Sequence, residues 1–348
     1  VTAGQLIFRF DTFGDERQWT DALRLHEVVA TLPPTVALAV GLKVDADAVP
    51  PGVLANADLN DPGTTLALIE LNAVVGIIGR VEAGQLTSLG VTCALCHSTV
   101  DDSVAPGIGR RLDGWANTDL DPGRILALSP SLQDPSVQAA LLSWGPGKYD
   151  ARFNQDGESD PAVIPPAYGL RDVELTTFTG DGDISYWNAY VAITQMGGRG
   201  VFHDSRIGVH VVRTPDLVTS KLAALAAYQH SLGTPTAPAG SVDAIAAQAG
   251  RALFVGRARC IECHSGPTFS DGQLYPPAVV GTDPRHAQRS ATGLYRTTPL
   301  RALWQHAPYF HDGSAATLED VVGHYDRLLQ LGLDAEGVRV LVEYLKSL

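Results

Sequence analysis

The chain is short of several things, and each shortage closes a class of function. No apolar run in its 348 residues reaches the ~18 expected of a membrane helix. Positive charge is scarce: 25 Lys and Arg stand against 38 Asp and Glu, a formal net charge of −13, with a pI near 5.1. That balance argues against nucleic acid and anionic membrane surfaces, and it suits a basic protein partner. Sulfur is limited to four cysteines and one methionine, Met196. No histidine lies between His97 and His203, so a long stretch of chain offers no second imidazole. The chain opens at Val1 without an initiator methionine or a signal sequence. What is plentiful is apolar surface, 45% of residues at a mean hydropathy of +0.04. That is enough to bury sizeable cores in two or three domains.

All four cysteines fall in two short motifs, Cys93-Ala94-Leu95-Cys96-His97 and Cys260-Ile261-Glu262-Cys263-His264. Each reads C-x-x-C-H, the attachment sequence of a c-type haem. Two thiols three positions apart can reach both vinyl groups from one turn, and the next residue then faces the iron as an axial ligand. A redox dithiol, half of a zinc site or a disulfide could also use C-x-x-C. Those readings need histidine to follow twice by chance. Two covalent c-type haems are therefore expected, with Cys93, Cys96, Cys260 and Cys263 as attachment points and His97 and His264 as iron ligands. Bacterial haem attachment takes place outside the cytoplasmic membrane, so a removed export signal and a periplasmic or secreted product are expected.

The pattern along the chain predicts a mainly α protein. It has two cytochrome c-like haem domains with extensive loops and an N-terminal extension: residues 1–85 as extension, 86–232 as the N-terminal haem domain, 233–241 as linker and 242–348 as the C-terminal cytochrome c domain. Asp15–Thr31 reads as one amphipathic helix carrying Trp19, Leu23, Leu25, His26, Val28 and Val29, stopped by Pro33-Pro34. His26 reads as a packed or surface residue. Asp61-Pro62-Gly63-Thr64 marks a turn and helix start before the apolar segment Leu66–Ile78. Arg110 and Arg111 read either as partners for haem propionates or as a solvated basic turn. Residues 116–176, rich in Pro, Gly and Asp, read as ordered loop, with Trp144–Tyr149 a turn near a cofactor or an interface. A short helix is expected over Tyr186–Gln195, capped by Asp183 or Ser185. Met196 after it is either core or a haem ligand, and His203 and His210 are the other candidates to close the first iron. If none does, that iron keeps an open side for peroxide or dioxygen. Ser241 or Asp243 should cap a helix to about Gly256, with Gly250 and Phe254 on one face. A final helix is expected from about Asp334 to Leu348.

The last third resembles a known family. Ala249–Phe254, the second motif, Tyr295–Arg301, Ala307–Ser314 and Thr317–Val322 are similar to the C-terminal domain of bacterial di-haem cytochrome c peroxidases and MauG-like enzymes. The likeness covers about residues 245–348 and is looser from Cys93 to about Gly200. There it comes nearest the di-haem rubber oxygenases. The resemblance implies that the C-terminal haem passes electrons and takes its second ligand from the helix after the Pro-Tyr-Phe-His-Asp-Gly stretch. An ungapped count puts that position on Tyr325. His324 beside it is chemically the better general ligand, but neighbours on a helix point about 100° apart, so at most one binds. The N-terminal haem is where the family does its chemistry.

Here the sequence departs from the peroxidases. Thr179-Gly180-Asp181-Gly182 stands where they carry a tryptophan between the haems, Tyr190 falls at the distal glutamine, and Gln195-Met196 replaces a Glu-Met pair. Glutamine cannot do the acid-base work of glutamate in O–O cleavage. Trp187 is the candidate for a displaced electron bridge and Phe202 for an apolar pocket wall, each with core packing as the alternative. Thr297 and Pro299 match an element near the family's calcium, which stands as a candidate cofactor. The leading expectation is an oxidoreductase. An open haem on His97, with Trp187, Gln195 and Phe202 about it, activates dioxygen or peroxide, and a relay haem sits on His264. An oxygenase or atypical peroxidase is favoured over a standard peroxidase. The substrate is an unspecified small molecule or polymer, and the electron donor a small protein. The alternative is an electron-transfer cytochrome with both irons six-coordinate; a binding module with vestigial haems is a third.

Overall fold

The computed structural model describes all residues, 1–348. It is 41% helical and 12% strand, so the chain is mainly α. Its strands pair only two at a time. The chain divides into two compact units, one of Val1–Tyr168 with Ser185–Leu232, the other of Gly169–Ile184 with Gly233–Leu348.

In the first unit the ends of the chain segment meet. Helix Thr2–Phe10 packs on helix Leu222–Ser231, with the rings of Phe8 and Tyr228 edge to face at 5.5 Å. Gly4 permits the approach, since a Cβ there would stand 2.0 Å from the Ala224 carbonyl oxygen. Arg9 Nε donates to Asp113 Oδ2 at 2.6 Å, and the Tyr228 hydroxyl donates to the same oxygen. The core gathers Phe8, Phe13, Leu25, Ile69, Leu89, Ile193 and Leu225. Antiparallel strands Ile77–Glu82 and Gln85–Val91 lead from it into the first cysteine motif.

Asp15–Thr31 is not one helix. A π-helical turn, Arg17–Ala22, is separated from helix Leu25–Val29 by Arg24 at φ 54°. Tertiary bonds override the apolar period: Thr20 Oγ1 donates to the Leu89 carbonyl and accepts from the Leu89 amide at 3.0 and 2.8 Å. Asp61 caps helix Pro62–Glu70 as expected, accepting from the Gly63 amide. The same Asp-Pro grammar opens helices Pro122–Ala127 and Pro135–Leu142, within residues read from composition as loop. Proline at the first helical position has no amide to lose, and the preceding aspartate satisfies the next ones.

The second unit rests on helices Ala244–Val255 and Ala335–Lys346, capped by Asp243 and Asp334. They touch at Gly250, where a Cβ would lie 1.9 Å from the Val340 carbonyl oxygen. Phe254 packs edge to face on Tyr344 at 5.2 Å, and helix Leu318–Leu329, opened by a capping box of Thr317 and Asp320, adds Leu318 and Val322 to the same core. Residues 169–184 belong here because they are stitched in. The Arg296 amide donates to the Phe178 carbonyl, the Ala291 amide to Asp181 Oδ1 and Thr292 Oγ1 to the Thr179 carbonyl.

Candidate haem centres

The strand ending at Val91 delivers Cys93 into a single helical turn, Ala94–His97, whose His97 amide donates to the Cys93 carbonyl at 3.2 Å. Gly76, at φ 78°, lies against this turn; a Cβ there would fall 2.2 Å from Leu95 backbone atoms. None of the four cysteines is paired in a disulfide. Burial pushes the thiols of Cys93 and Cys96 up to about 12 and that of Cys260 up to about 11. They are therefore poor thiolates, unlike the nucleophile of a redox dithiol. No cluster of three or more His, Cys, Asp or Glu side chains in the chain is arranged to hold a metal ion.

The two motif histidines are held alike. His97 Nδ1 lies 3.0 Å from the Pro165 carbonyl oxygen, and His264 Nδ1 lies 3.0 Å from that of Phe269. A carbonyl only accepts, so Nδ1 carries the proton in each ring and Nε2 keeps its lone pair free. A buried second partner that fixes the tautomer is the ordinary arrangement of an iron-ligating imidazole. Burial holds His97 down to about 4 and lowers His264 from its usual value, so both rings are neutral at pH 7. Paired free thiols in one turn, with a neutral histidine next to them and Nε2 unused, fit a covalently attached haem.

Cys96 packs against a small core of Ala116, Leu120 and Ile164, which Leu95, Ile125 and Tyr149 also cover. The Tyr149 hydroxyl donates to Gln195 Oε1 at 3.0 Å, while Gln195 Nε2 donates to Thr194 Oγ1 and Asn154 Oδ1. Burial first, then Cys96, raises the Tyr149 phenol above its usual range. Gln195 closes a π-helical turn, Val191–Gln195, that follows helix Ile184–Tyr190. Such turns are frequent at functional sites. Sequence reasoning placed Gln195 but missed Tyr149. Its one signal was the aromatic Trp144–Tyr149 turn.

Trp187 and Phe202 come together in one aromatic cluster. Both meet Tyr186 and Tyr190 edge to face at 5.2–5.7 Å, and the buried Trp187 Nε1 has no hydrogen-bond partner. Met196 is buried in the core, its carbonyl accepting from Trp19 Nε1 at 2.8 Å. His203 and His210 are exposed and bonded to each other. His26 Nδ1 is buried without a partner. The two arginines part company. Arg110 is solvated beside Asp101. Arg111 is buried, its Nε 3.0 Å from Asp45 Oδ2 but not aligned to donate, and its Nη1 also lacks a partner. A buried guanidinium that pairs with Asp45 and still has Nη1 unbonded is suited to a further carboxylate such as a haem propionate.

In the second unit Arg259, at φ 58°, turns the chain into Cys260–Glu262, and the His264 amide donates to the Cys260 carbonyl at 2.9 Å. Helix Leu318–Leu329 turns His324 and Tyr325 apart. His324 Nε2 is committed to the Val280 carbonyl at 3.0 Å. Tyr325 lies beside the cysteine pair: burial first, then Cys263 and Cys260, pushes its phenol up to about 12. Tyr275 also adjoins Cys263, donating to Asp271 Oδ2 at 2.6 Å. No motif or spacing marks it in the sequence. The Thr297 carbonyl accepts from Ser270 Oγ at 2.6 Å, and calcium keeps only the resemblance as support.

No family model matches the chain. The cytochrome-c peroxidase IdrP2 of Pseudomonas sp. strain SCT is 33% identical over a 317-residue alignment spanning 74% of this chain and 76% of that protein. The cytochrome-c peroxidase IdrP1 of Denitromonas iodatirespirans is 30% identical over 187 residues, 38% of this chain and 50% of IdrP1. The methylamine utilization protein MauG of Methylorubrum extorquens is 38% identical over 117 residues, 30% of this chain and 33% of MauG. In those last two matches the chain spans half and one third of the relative's length. A hydrazine synthase chain of Kuenenia stuttgartiensis overlays with a TM-score of 0.40 at 20% identity, over 56% of this chain and 74% of that one, too loose to bear on the fold. With the long match to IdrP2 and two C-x-x-C-H turns, the chain belongs to the di-haem cytochrome c peroxidase and MauG family.

Proposed function

We propose that this protein is a haem-dependent oxidoreductase with two unequal centres. Cys93, Cys96 and His97 hold a haem that is open on its far side and meets peroxide or dioxygen. Cys260, Cys263, His264 and Tyr325 hold a second that relays electrons. The observation that carries the reading is the shared hydrogen bond from each motif histidine to a backbone carbonyl, which leaves Nε2 as the iron-facing atom. Openness of the first centre is supported by the alternatives' positions: Met196 in the core, His203 and His210 facing solvent.

Haem iron, when bound, supplies the redox chemistry of peroxide or dioxygen. The chain's residues do the rest. Tyr149 stays protonated and keeps a hydrogen-bonding pair with Gln195 next to Cys96, a polar grip without a carboxylate to shuttle protons. Trp187, Tyr190 and Phe202 form an apolar, oxidisable wall. Arg111 is assigned to a propionate. This distribution favours an oxygenase or atypical peroxidase acting on a phenolic or apolar substrate, small or polymeric. The acidic chain suits a small basic electron donor, and covalent haem attachment suits a periplasmic or secreted site. No helix is long and apolar enough to cross a membrane.

The test is electron paramagnetic resonance of the oxidised protein, repeated after one electron is added. One high-spin and one low-spin ferric signal, at either stage, is the expected result. Two irons that stay low-spin at both stages would replace this reading with an electron-transfer cytochrome.

A further inference from the structure

The hairpin Val201–Asp204/Val209–Val212 carries two histidines that the proposed chemistry does not use. Its strands pair Val201 with Val212, Phe202 with Val211, His203 with His210 and Asp204 with Val209. Side chains alternate faces along a strand, so Phe202, Asp204 and Val209 are buried while His203 and His210 share the exposed face. Their Nδ1 atoms lie 3.2 Å apart. One ring donates to the other there, so one Nδ1 carries the shared proton and the other supplies the lone pair.

That separation is close to the spacing chelation needs. Two ring nitrogens each about 2.0–2.1 Å from one metal ion stand about 2.9 Å apart at a right angle and about 3.3 Å apart at a tetrahedral one. The observed spacing falls between the two. Replacing the shared proton by a cation needs only a swing of two exposed rings and a shift of one proton from Nδ1 to Nε2.

The scaffold beneath is braced at both ends. At the turn, Asp204 accepts from the Arg206 amide at 2.9 Å and from the Tyr186 hydroxyl at 2.8 Å, and Arg206 Nη2 pairs with the same carboxylate at 2.7 Å. At the open end the Arg213 amide donates to the Gly200 carbonyl at 2.8 Å, and the Arg213 guanidinium donates to the Ile193 carbonyl. A pair of imidazoles fixed on a braced hairpin loses little freedom on chelation.

We propose that His203 and His210 form a surface bis-imidazole site for a borderline divalent cation, copper(II) above zinc(II). Imidazole nitrogen suits these ions, and their affinities follow the Irving–Williams order. Calcium and magnesium need oxygen ligands and are excluded. Two protein donors leave coordination positions for water or for a donor from another molecule. The site is independent of which haem is open.

The test is titration of the oxidised di-haem protein with copper(II) in a non-coordinating buffer, followed by calorimetry and by copper electron paramagnetic resonance. One ion per chain is expected, with hyperfine splitting from two nitrogens. His203→Ala or His210→Ala alone should weaken binding at least about ten-fold, with haem spectra unchanged. Zinc(II) should compete at higher concentration and calcium should not. Equal affinity in the H203A/H210A double variant, or no stoichiometric uptake by the parent protein, overturns the proposal.

Discussion

The two cysteine turns solve one problem at different range. His264 finds its carbonyl five residues on, at Phe269, inside its own loop. His97 reaches 68 residues ahead, to Pro165, and its turn is pressed against Gly76 from an earlier segment. The second centre is thus oriented by local chain and three helices. The first is oriented by the whole of its unit. A site held by distant segments is easier to reshape by insertion or drift, and it is the one whose surroundings depart from the peroxidase pattern.

The sharpest division is chemical. His97→Ala should abolish reaction with peroxide or dioxygen while leaving the optical spectrum of the second centre intact, read by stopped-flow absorbance. Full-rate reaction in that variant would mean the roles of the two centres are reversed.

Next come the glycines. Gly76→Ala places a methyl in the backbone of Leu95 at a left-handed φ, and we expect a loss of about 2–4 kcal/mol. Haem incorporation should fall at the first motif alone. Gly250→Ala drives a methyl into the Val340 carbonyl and should act at the second motif alone. Denaturant titration and haem staining of proteolytic halves separate them. Equal losses at both motifs in either variant would erase the distinction between a long-range and a local centre.

Within the second centre, Tyr325→Phe should alter the low-spin spectrum. His324→Ala should leave it and cost only the hydrogen bond to Val280, about 0.5–1.5 kcal/mol. A spectral change confined to the His324 variant would transfer the ligand role.

The last effect is a slope. Asp15 is fully buried under the strand leading to Cys93, and its carboxylate accepts from the Val91 amide at 3.2–3.3 Å. Burial first, outweighing the Val91 amide and Trp19, holds its carboxyl up to about 9 from a usual 3.8. Between those values the folded chain keeps a proton the unfolded chain has lost, so stability falls as pH rises across the window. Asp15→Asn should flatten that decline in denaturation midpoints measured from pH 5 to 9. An unchanged slope would show that Asp15 is ionised in the fold.

Local chemistry was legible from the sequence. The C-x-x-C-H turns, the capping aspartates Asp61, Asp243 and Asp334, the final helix and the divergence of His324 from Tyr325 all depend on residues within one or two turns of each other. The same grammar in Asp121-Pro122 and Asp134-Pro135 was hidden by the surrounding proline and glycine, which read as loop. What only the tertiary structure decided lies across long separations. Pro165 on His97, Tyr149 on Gln195, Thr20 breaking a helix against Leu89, and His203 facing His210 outward rather than toward iron are all set this way. A backbone carbonyl has no sequence signature, and a side chain's partner across tens of residues is chosen by packing. The sequence by itself therefore determined the two C-x-x-C-H turns and the residues that are candidates to serve them; the fold decided which of those candidates stand near each turn, because long-range packing has no local signature.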